Sequence, residues 1–285
     1  MTHAALLLIA ALTQSVTTDT TLHVRPGTRL SVDVPIGSVV VRGWDRADVR
    51  IVVVHPANLD VRIDTTPGTL NVGERVRGLR SDVAQYEITV PRAMNLKLGR
   101  GDVDVNVTGT LGEIVATVRK GTITIDGGRG LVALQTAHGV ISVANAHGRI
   151  EARTLNSDIR ITGSGGDIQA EGSDGDVVLE RIDADRVDVS TVDGRIVYEG
   201  RLKPNGHYAF ASHDQGVRLS IPANSSATFT IATVSGRTAS DFPFGARKEI
   251  GKGRFSFAIG DGAAEVNLSS FKGEIEVRRL KPEKH

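Results

Sequence analysis

Through the middle of the chain, apolar and polar residues alternate in short runs, and the runs recur every nine residues. Typical apolar pairs are Ile123 with Ile125 and Ile141 with Val143. Alternation with a period of two predicts short β-strands that each turn one apolar face inward. A small residue stands two positions before each pair and predicts a turn there. These residues are Gly112, Gly121, Gly130, Gly139, Gly148, Ser157, Gly166, Gly175 and, after one inserted residue, Gly194.

The turn residues indicate that the true repeat is eighteen residues, with two strands and two different corners. One set of turns carries residues that adopt a left-handed backbone at little cost. These are Gly109, Gly127, Asn145 and Gly163, spaced by eighteen. The other set carries a threonine three positions before the small residue, at Thr136, Thr154 and Thr191. Because one five-residue strand cannot bury its own apolar face, such repeats must stack. We therefore predict an all-β fold, a β-solenoid resembling a single-stranded β-helix with about eighteen residues per coil.

Segments on both sides of the repeat have a weaker pattern, in which an alternating strand ends on proline. They end at Pro35, Pro91 and Pro222, and proline stops a strand ladder. We predict one elongated domain over residues 21–280. It comprises an N-terminal β region (21–98), the regular solenoid (99–200) and a C-terminal β cap (201–280), with a tail at 281–285. In the cap, the strand from Lys272 to Val277 returns to the repeat pattern.

The first twenty residues differ from the rest and predict a signal peptide. Ala4 to Leu12 is an apolar run, and small and polar residues follow it. The run is too short to span a bilayer as a helix, and no later stretch is long enough. We therefore expect an exported protein, periplasmic or extracellular in the cell envelope, without a transmembrane segment after the signal peptide.

Composition excludes several classes of protein and site. The formal net charge is only +1, so nucleic acid is not an expected partner. With no cysteine, disulfides and a lipid-modified N-terminal cysteine are excluded. Aromatic residues make up 4% of the chain and glycine accounts for 32 residues, as a narrow solenoid interior with many turns requires.

Taken in order along the chain, several short motifs resemble a known family, the candidate adhesins of domain-of-unknown-function type 4097. The motifs are Gly43-Trp44-Asp45, the Val-Pro strand ends, Gly101-Asp-Val-Asp-Val105, Gly166-Asp-Ile168, Gly175-Asp-Val177 and the segment from Ser235-Gly236 to Asp241-Phe242-Pro243. The resemblance covers about residues 22–280. It implies a β-solenoid and a role at the bacterial surface or envelope. It supplies no catalytic residues.

The eighteen-residue register places a column of polar residues at one corner, beginning with Lys120. The column continues through His138, Asn156, Asp174 and Asp193. Nitrogen and oxygen donors of this kind bind metal ions or sugar hydroxyls. The simpler interpretation, which we favour, is that these residue types tolerate the left-handed turn expected before the repeat glycine. The column therefore remains a candidate ligand site, and no metal, cofactor or catalytic residue is assigned. A calcium-binding nonapeptide repeat does not fit, since Val132 occupies the position that aspartate would need.

The function predicted from the sequence is a non-enzymatic exported envelope or surface protein, adhesive or structural, whose partner is an envelope polysaccharide or a protein. One alternative is a carbohydrate-active β-helix enzyme, for which the candidate residues are Arg181, Asp183, Asp185, Arg186 and Asp188. A second alternative is a self-assembling rod or a binding module in envelope signalling. The sequence contains no nucleophile elbow, P-loop, zinc-protease or dinucleotide motif.

Overall fold

A computed structural model of the protein describes residues 15–75, 83–243 and 247–280. These residues form 27 strands and no helix, which confirms the predicted all-β fold. The first nine strands are β1 (Ser15–His23), β2 (Arg29–Asp33), β3 (Ile36–Trp44), β4 (Asp48–Pro56), β5 (Asp60–Thr66), β6 (Thr69–Arg75), β7 (Ala84–Pro91), β8 (Asn95–Leu98) and β9 (Asp102–Thr110). The next nine are β10 (Ile114–Lys120), β11 (Ile123–Gly127), β12 (Arg129–His138), β13 (Ile141–Ala144), β14 (His147–Asn156), β15 (Ile159–Thr162), β16 (Gly165–Asp174), β17 (Val177–Ile182) and β18 (Arg186–Thr191). The last nine are β19 (Ile196–Gly200), β20 (His207–Ser212), β21 (Gly216–Ile221), β22 (Ala227–Thr233), β23 (Thr238–Ser240), β24 (Lys248–Gly251), β25 (Arg254–Ile259), β26 (Ala264–Ser270) and β27 (Glu274–Arg279).

Parallel pairing confirms the eighteen-residue coil. Ile114 of β10 pairs with Val132 of β12, and Ile123 of β11 pairs with Ile141 of β13. Each coil therefore contributes one strand to each of two long sheets. Sheet A runs in the order β5-β6-β2-β8-β10-β12-β14-β16-β18-β20-β26-β22-β25-β24. Sheet B runs in the order β1-β4-β7-β3-β9-β11-β13-β15-β17-β19-β21-β27-β23.

One continuous core of apolar side chains, mostly aliphatic, lies between the two sheets. It uses the alternate positions that the sequence predicts, and Ile159 and Ile161, for example, are completely buried. Each such side chain contributes about 1.5–3 kcal/mol relative to an exposed position. Stacking thus stabilises the whole rod, since no coil could bury these residues alone.

At both ends of the stack, the order of the coils departs from the order of the chain. The coil of β2 and β3 lies between the coil of β6 and β7 and the coil of β8 and β9. At the other end, β26 and β27 lie between β20 and β21 on one side and β22 and β23 on the other. Antiparallel strands then cover the ends, with β1, β4 and β5 at one end and β24 and β25 at the other. Such covering strands protect the parallel coils from pairing with other chains.

The core changes where the repeat lengthens. Val187 pairs with Ile168, one residue beyond the regular spacing, and Tyr208 pairs with Val187 after a longer step. Three buried rings pack together in the core here, with Tyr198 centred 6.1 Å from Tyr208 and 5.2 Å from Phe210. The Tyr208 hydroxyl donates to the Ala184 carbonyl at 2.7 Å, so this buried polar group has a partner. Burial raises the pKa of both tyrosine hydroxyls.

The predicted signal peptide and tail lie only partly within the described residues. Residues 1–14 and 281–285 are outside them. Residues 15–20 belong to β1, which pairs with β4 from Ser15 opposite Pro56 to His23 opposite Asp48. The expected end of the signal peptide at about residue 20 therefore falls inside a paired strand. Among the described residues there is no helix of the length and apolar character needed to cross a bilayer.

Candidate functional site

The candidate column lies at the corner where each sheet A strand turns into the sheet B strand of the same coil. The next residue in this turn is glycine in several coils because successive backbones approach closely. A Cβ added to Gly139 would lie 2.0 Å from the Gly121 carbonyl oxygen, and one added to Gly175 would lie 2.2 Å from the Ser157 carbonyl oxygen. A side chain at these positions would push the coils apart, so the glycine stays bare and the polar residue before it is the one that can carry chemistry.

The structure joins three members of the column by hydrogen bonds. Asn156 pairs in register with Asp174, and its side chain lies beside His138. When the Asn156 amide is oriented to satisfy both neighbours, its oxygen accepts from His138 Nδ1 at 3.0 Å and its nitrogen donates to Asp174 Oδ2 at 3.0 Å. Lys120 stands opposite His138. The three side chains bind one another on an exposed surface, and the Asp174 carboxylate keeps acceptor capacity for a hydroxyl group.

Metal binding has little geometric support at this column. Within the described ranges, no group of three or more histidine, aspartate or glutamate side chains is placed to hold a metal ion. Asp193, the last predicted member, is exposed, and its backbone N–H donates to the Ser173 carbonyl at 2.8 Å.

The simpler explanation of this column, that each polar residue itself has a left-handed backbone, is wrong. His138, Asn156, Asp174 and Asp193 do not have positive φ angles. The glycines after His138 and Asp174 do, with φ of 148° at Gly139 and 154° at Gly175. Asn145 (φ 54°), in contrast, has the left-handed backbone predicted for the opposite corner, as do Gly109, Gly127 and Gly163. A preference for the left-handed backbone therefore does not explain why these positions carry polar residues.

The column is longer than the sequence predicts. Thr191, Ser212 and Ser270 pair in register, so the residues two positions on, namely Asp193, Asp214 and Lys272, continue it. Asp214 accepts hydrogen bonds from His213 Nδ1 at 2.6 Å and from Lys272 Nζ at 3.3 Å. The His213 bond, followed by that of Lys272, lowers the pKa of Asp214. Counting by eighteen missed these members because the chain takes longer steps here.

A second row of carboxylates has a structural use that the sequence did not reveal. Asp104 accepts from the Thr122 backbone N–H at 2.8 Å, and Asp158 accepts from the Asp176 N–H at 3.0 Å. Asp176 in turn accepts from the Arg195 N–H at 2.8 Å. Each carboxylate thus binds the backbone of the next coil. This explains the aspartate after Gly175, since it satisfies a corner N–H that the sheet ladders leave unpaired.

The motif Gly43-Trp44-Asp45 also has a local structural use. Trp44 Nε1 donates to the Asp48 carbonyl at 2.7 Å, and Arg92 Nε donates to Asp45 at 2.8 Å. The Arg46 guanidinium lies over the Trp44 ring, 5.0 Å from its centre. These contacts fix the turn between β3 and β4 against the turn after β7.

The acidic cluster that would serve a carbohydrate-active enzyme lies at a solvent-exposed edge of the stack. Asp183 and Asp185 are 70% and 72% exposed, and both approach Lys203 Nζ, at 3.6 Å and 3.4 Å. Arg186 pairs with Asp167 across sheet A, and Asp188 is exposed on β18. A general acid in glycoside hydrolysis needs a pKa raised by burial or by a like charge. Asp183 and Asp185 are instead exposed and share the Lys203 ammonium, so this edge places no buried carboxyl group to act as the acid.

Comparison with known proteins gives a family and two solved structures. A sequence model of the family described as Toastrack DUF4097 matches residues 27–278. No curated protein matches the chain. The crystal structure of a candidate cell adhesion protein from Clostridium sporogenes is 10% identical, with 93% of this chain and 100% of that chain covered and a TM-score of 0.30. That of a candidate adhesin from Parabacteroides distasonis is 12% identical, with 92% and 97% covered and a TM-score of 0.37. At these TM-scores the two structures carry no argument about function.

Proposed function

Because the chain belongs to the Toastrack DUF4097 family, we propose that it is a non-enzymatic, adhesin-like protein of the bacterial cell surface or envelope. The observation that supports this proposal is the exposed column from His138 to Lys272. Its hydrogen-bonding side chains repeat at the strand spacing of about 4.8 Å along a continuous rod. Solenoids use such extended surfaces for binding. An envelope polysaccharide, whose hydroxyl groups also repeat, is a suitable partner.

The proposal includes export, and β1 limits where the signal peptide can end. Removing residues 15–20 would unpair most of β1 from β4 and would break the bidentate pair of Arg50 with Asp19, at 2.7 Å and 3.1 Å. We therefore propose that cleavage occurs before Ser15. Intact-mass analysis of the secreted protein should find the mature N-terminus at or before Ser15. A mature chain that begins at residue 21 would contradict this proposal.

A panel of polysaccharides distinguishes a binding protein from an enzyme that cleaves polysaccharides. The purified protein is incubated with envelope and plant polysaccharides, and both retention and release of shortened sugars are measured. The proposal predicts retention without shortening. Shortening that is lost in Asp183→Asn or Asp185→Asn would overturn it in favour of the enzyme. Failure to be retained on any polymer would overturn the adhesive role toward polysaccharides.

A further inference from the structure

A trough runs beside the candidate column, on the side toward sheet A. Its floor is a row of small residues that pass from coil to coil, namely Thr154, Gly172, Thr191, Ser212, Ser270 and Thr233. Five steps of about 4.8 Å make this row about 24 Å long. A cavity of about 550 Å³ covers the part from Gly172 to Thr233, and one of about 280 Å³ continues it past Thr154. We call this surface the corner trough.

The outer wall of the corner trough is apolar and exposed. Val192, Phe271 and Val234 are 50%, 43% and 73% exposed, and Leu155 extends the same wall at 56%. The His213 ring stacks on Phe271, with centres 4.8 Å apart and planes at 6°. Large apolar side chains rarely line up on a free surface without a partner. The wall offers flat apolar contact to a ligand that lies along the rod.

Two buried hydroxyl groups on the floor have no hydrogen-bond partner in the described structure. Thr154 and Ser270 are 4% and 5% exposed, and Thr154 Oγ1 and Ser270 Oγ are both unpaired. Their neighbours are satisfied, since Ser212 Oγ donates to the Gly194 carbonyl at 2.8 Å and Thr191 Oγ1 donates to the Gly175 carbonyl at 3.2 Å. An unpaired buried hydroxyl costs about 1–3 kcal/mol, so its retention calls for a partner. Both oxygens are covered in this structure, so a ligand in the trough supplies a partner only when the Thr154 and Ser270 side chains rotate toward it.

The far end of the corner trough is positively charged. Lys252 and Arg254, beside the turn between β24 and β25, both line it and are both exposed. Neither side chain forms an ion pair or hydrogen bond with another described residue. Nearer the middle, Arg153 also borders the trough, but it is paired with Glu171 at 3.1 Å. The unpaired cations are complementary to carboxylates of a ligand.

We propose that a linear acidic polysaccharide binds along the corner trough. This inference rests on the proposed function and adds the ligand class and its position. Sugar rings present C–H faces to Phe271 and hydroxyl groups to Thr154 and Ser270, while uronic-acid carboxylates pair with Lys252 and Arg254. A peptide fits less well, because the trough crosses the coils and offers no open strand edge for β-augmentation.

The test uses polygalacturonate as the acidic probe and dextran as the neutral one, with affinities measured by calorimetry. The protein should bind polygalacturonate at least tenfold more tightly than dextran, and added salt should weaken binding. Phe271→Ala and the double variant Lys252→Glu/Arg254→Glu should each lower the affinity at least tenfold. Matched controls are Leu111→Ala, which is exposed at the opposite corner, and Lys97→Glu, which is exposed near the other end of sheet A. Both controls should bind normally.

Ser270→Ala separates a binding role from a structural one. It removes an unpaired hydroxyl, so the melting temperature should hold or rise while the affinity for polygalacturonate falls about fivefold. If the trough variants and their controls bind equally well, the position of the ligand is wrong and the proposed function stands. Equal binding of dextran would overturn the acidic specificity. Binding of neither polymer would overturn the acidic-polysaccharide proposal, and the wider polysaccharide panel then tests the proposed function separately.

Discussion

The middle of the rod and its two ends are built from the same kind of coil but are connected differently. Between β8 and β21, every strand pairs with the strand one coil further along the chain. At the ends, neighbours come from distant segments, as when Leu30 pairs with Leu70 or Tyr208 pairs with Val266. The middle is therefore held by local contacts, whereas each end is closed by long-range pairing.

This difference separates two physical tasks. A repeat only needs to specify its own turn and its two buried positions, because stacking then propagates from coil to coil. An end must also stop the stacking. Inserting β26 and β27 one coil inside this end ties the last strand of the described chain to the regular stack, and it leaves the antiparallel strands β24 and β25 outside. Closing these loops costs more entropy than adding a regular coil, so we expect the ends to form after the middle.

The largest effect should come from placing a charge in the regular core. Ile159 is completely buried, and its neighbour Arg160 is exposed and paired with Asp158 at 2.7 Å. Ile159→Asp should cost about 4 kcal/mol or more, or prevent folding, because it buries an unpaired carboxylate. Arg160→Asp should cost less than about 1 kcal/mol. Urea denaturation checks both, and equal damage from the two changes would refute the register of the middle coils.

A smaller effect is expected at a turn where successive coils approach closely. Gly139→Ala places a Cβ against the Gly121 carbonyl at a φ of 148°, and nothing in the stack can yield without moving a backbone. We expect a loss of about 3 kcal/mol. Gly251→Ala, in the covering strand β24, has open space around the added methyl group and should change stability by less than about 0.5 kcal/mol. Comparable melting temperatures for the two variants would argue against close stacking in the middle.

The smallest predicted effect concerns the ion pairs that tie the inserted coil to the regular one. Glu276 of β27 accepts from Arg218 of β21 at 3.1 Å and from Arg278 at 3.0 Å. These bonds, that of Arg218 first, lower the pKa of Glu276 below its ordinary value of 4.5. The folded protein thus binds the proton less readily than the unfolded chain. The stabilisation is present above pH 4.5 and is lost as the pH falls through the lower folded pKa.

Glu276→Gln should therefore cost about 1 kcal/mol at neutral pH and almost nothing in strong acid. Denaturation at both pH values measures the difference. Glu87→Gln serves as the control, because its pair with Arg42 is longer, at 3.6 Å, and the Glu87 side chain is 63% exposed. A pH-independent effect of Glu276→Gln would mean that the carboxylate charge does not stabilise the inserted coil.

The sequence predicts the features that are set within a single coil. It does not predict which coil stacks beside which. The period, the two corners and the left-handed Asn145 follow from spacing and residue type. Even the return of the last strand to the repeat pattern could be predicted, since alternation marks which face of β27 is buried. Alternation cannot show which strands lie beside β27, because every coil presents the same apolar pattern. The insertion of the terminal coils was therefore not predictable.

The same limit applies to the candidate site. His138, Asn156 and Asp174 could be aligned by counting, because each step between them is regular. Asp214 and Lys272 could not, since the chain takes longer steps before them. The corner trough was also missed. Its floor residues are ordinary small turn residues in the sequence, and only the close register of Ser212, Ser270 and Thr233 shows that they form one surface.

Disulfide trapping tests the central claim, that chain order and stack order separate at the ends. The chain contains no cysteine, so engineered pairs are the only thiols present. The structure places Asn267 of β26 directly between Ala209 of β20 and Thr230 of β22. Neighbouring strands lie within disulfide range, whereas strands two apart do not. The pair Ala209→Cys/Asn267→Cys should oxidise rapidly in the folded protein, and Ala209→Cys/Thr230→Cys should not. Rapid oxidation of the second pair but not the first would mean that the chain stacks in simple sequence order, and the account of the ends would be wrong.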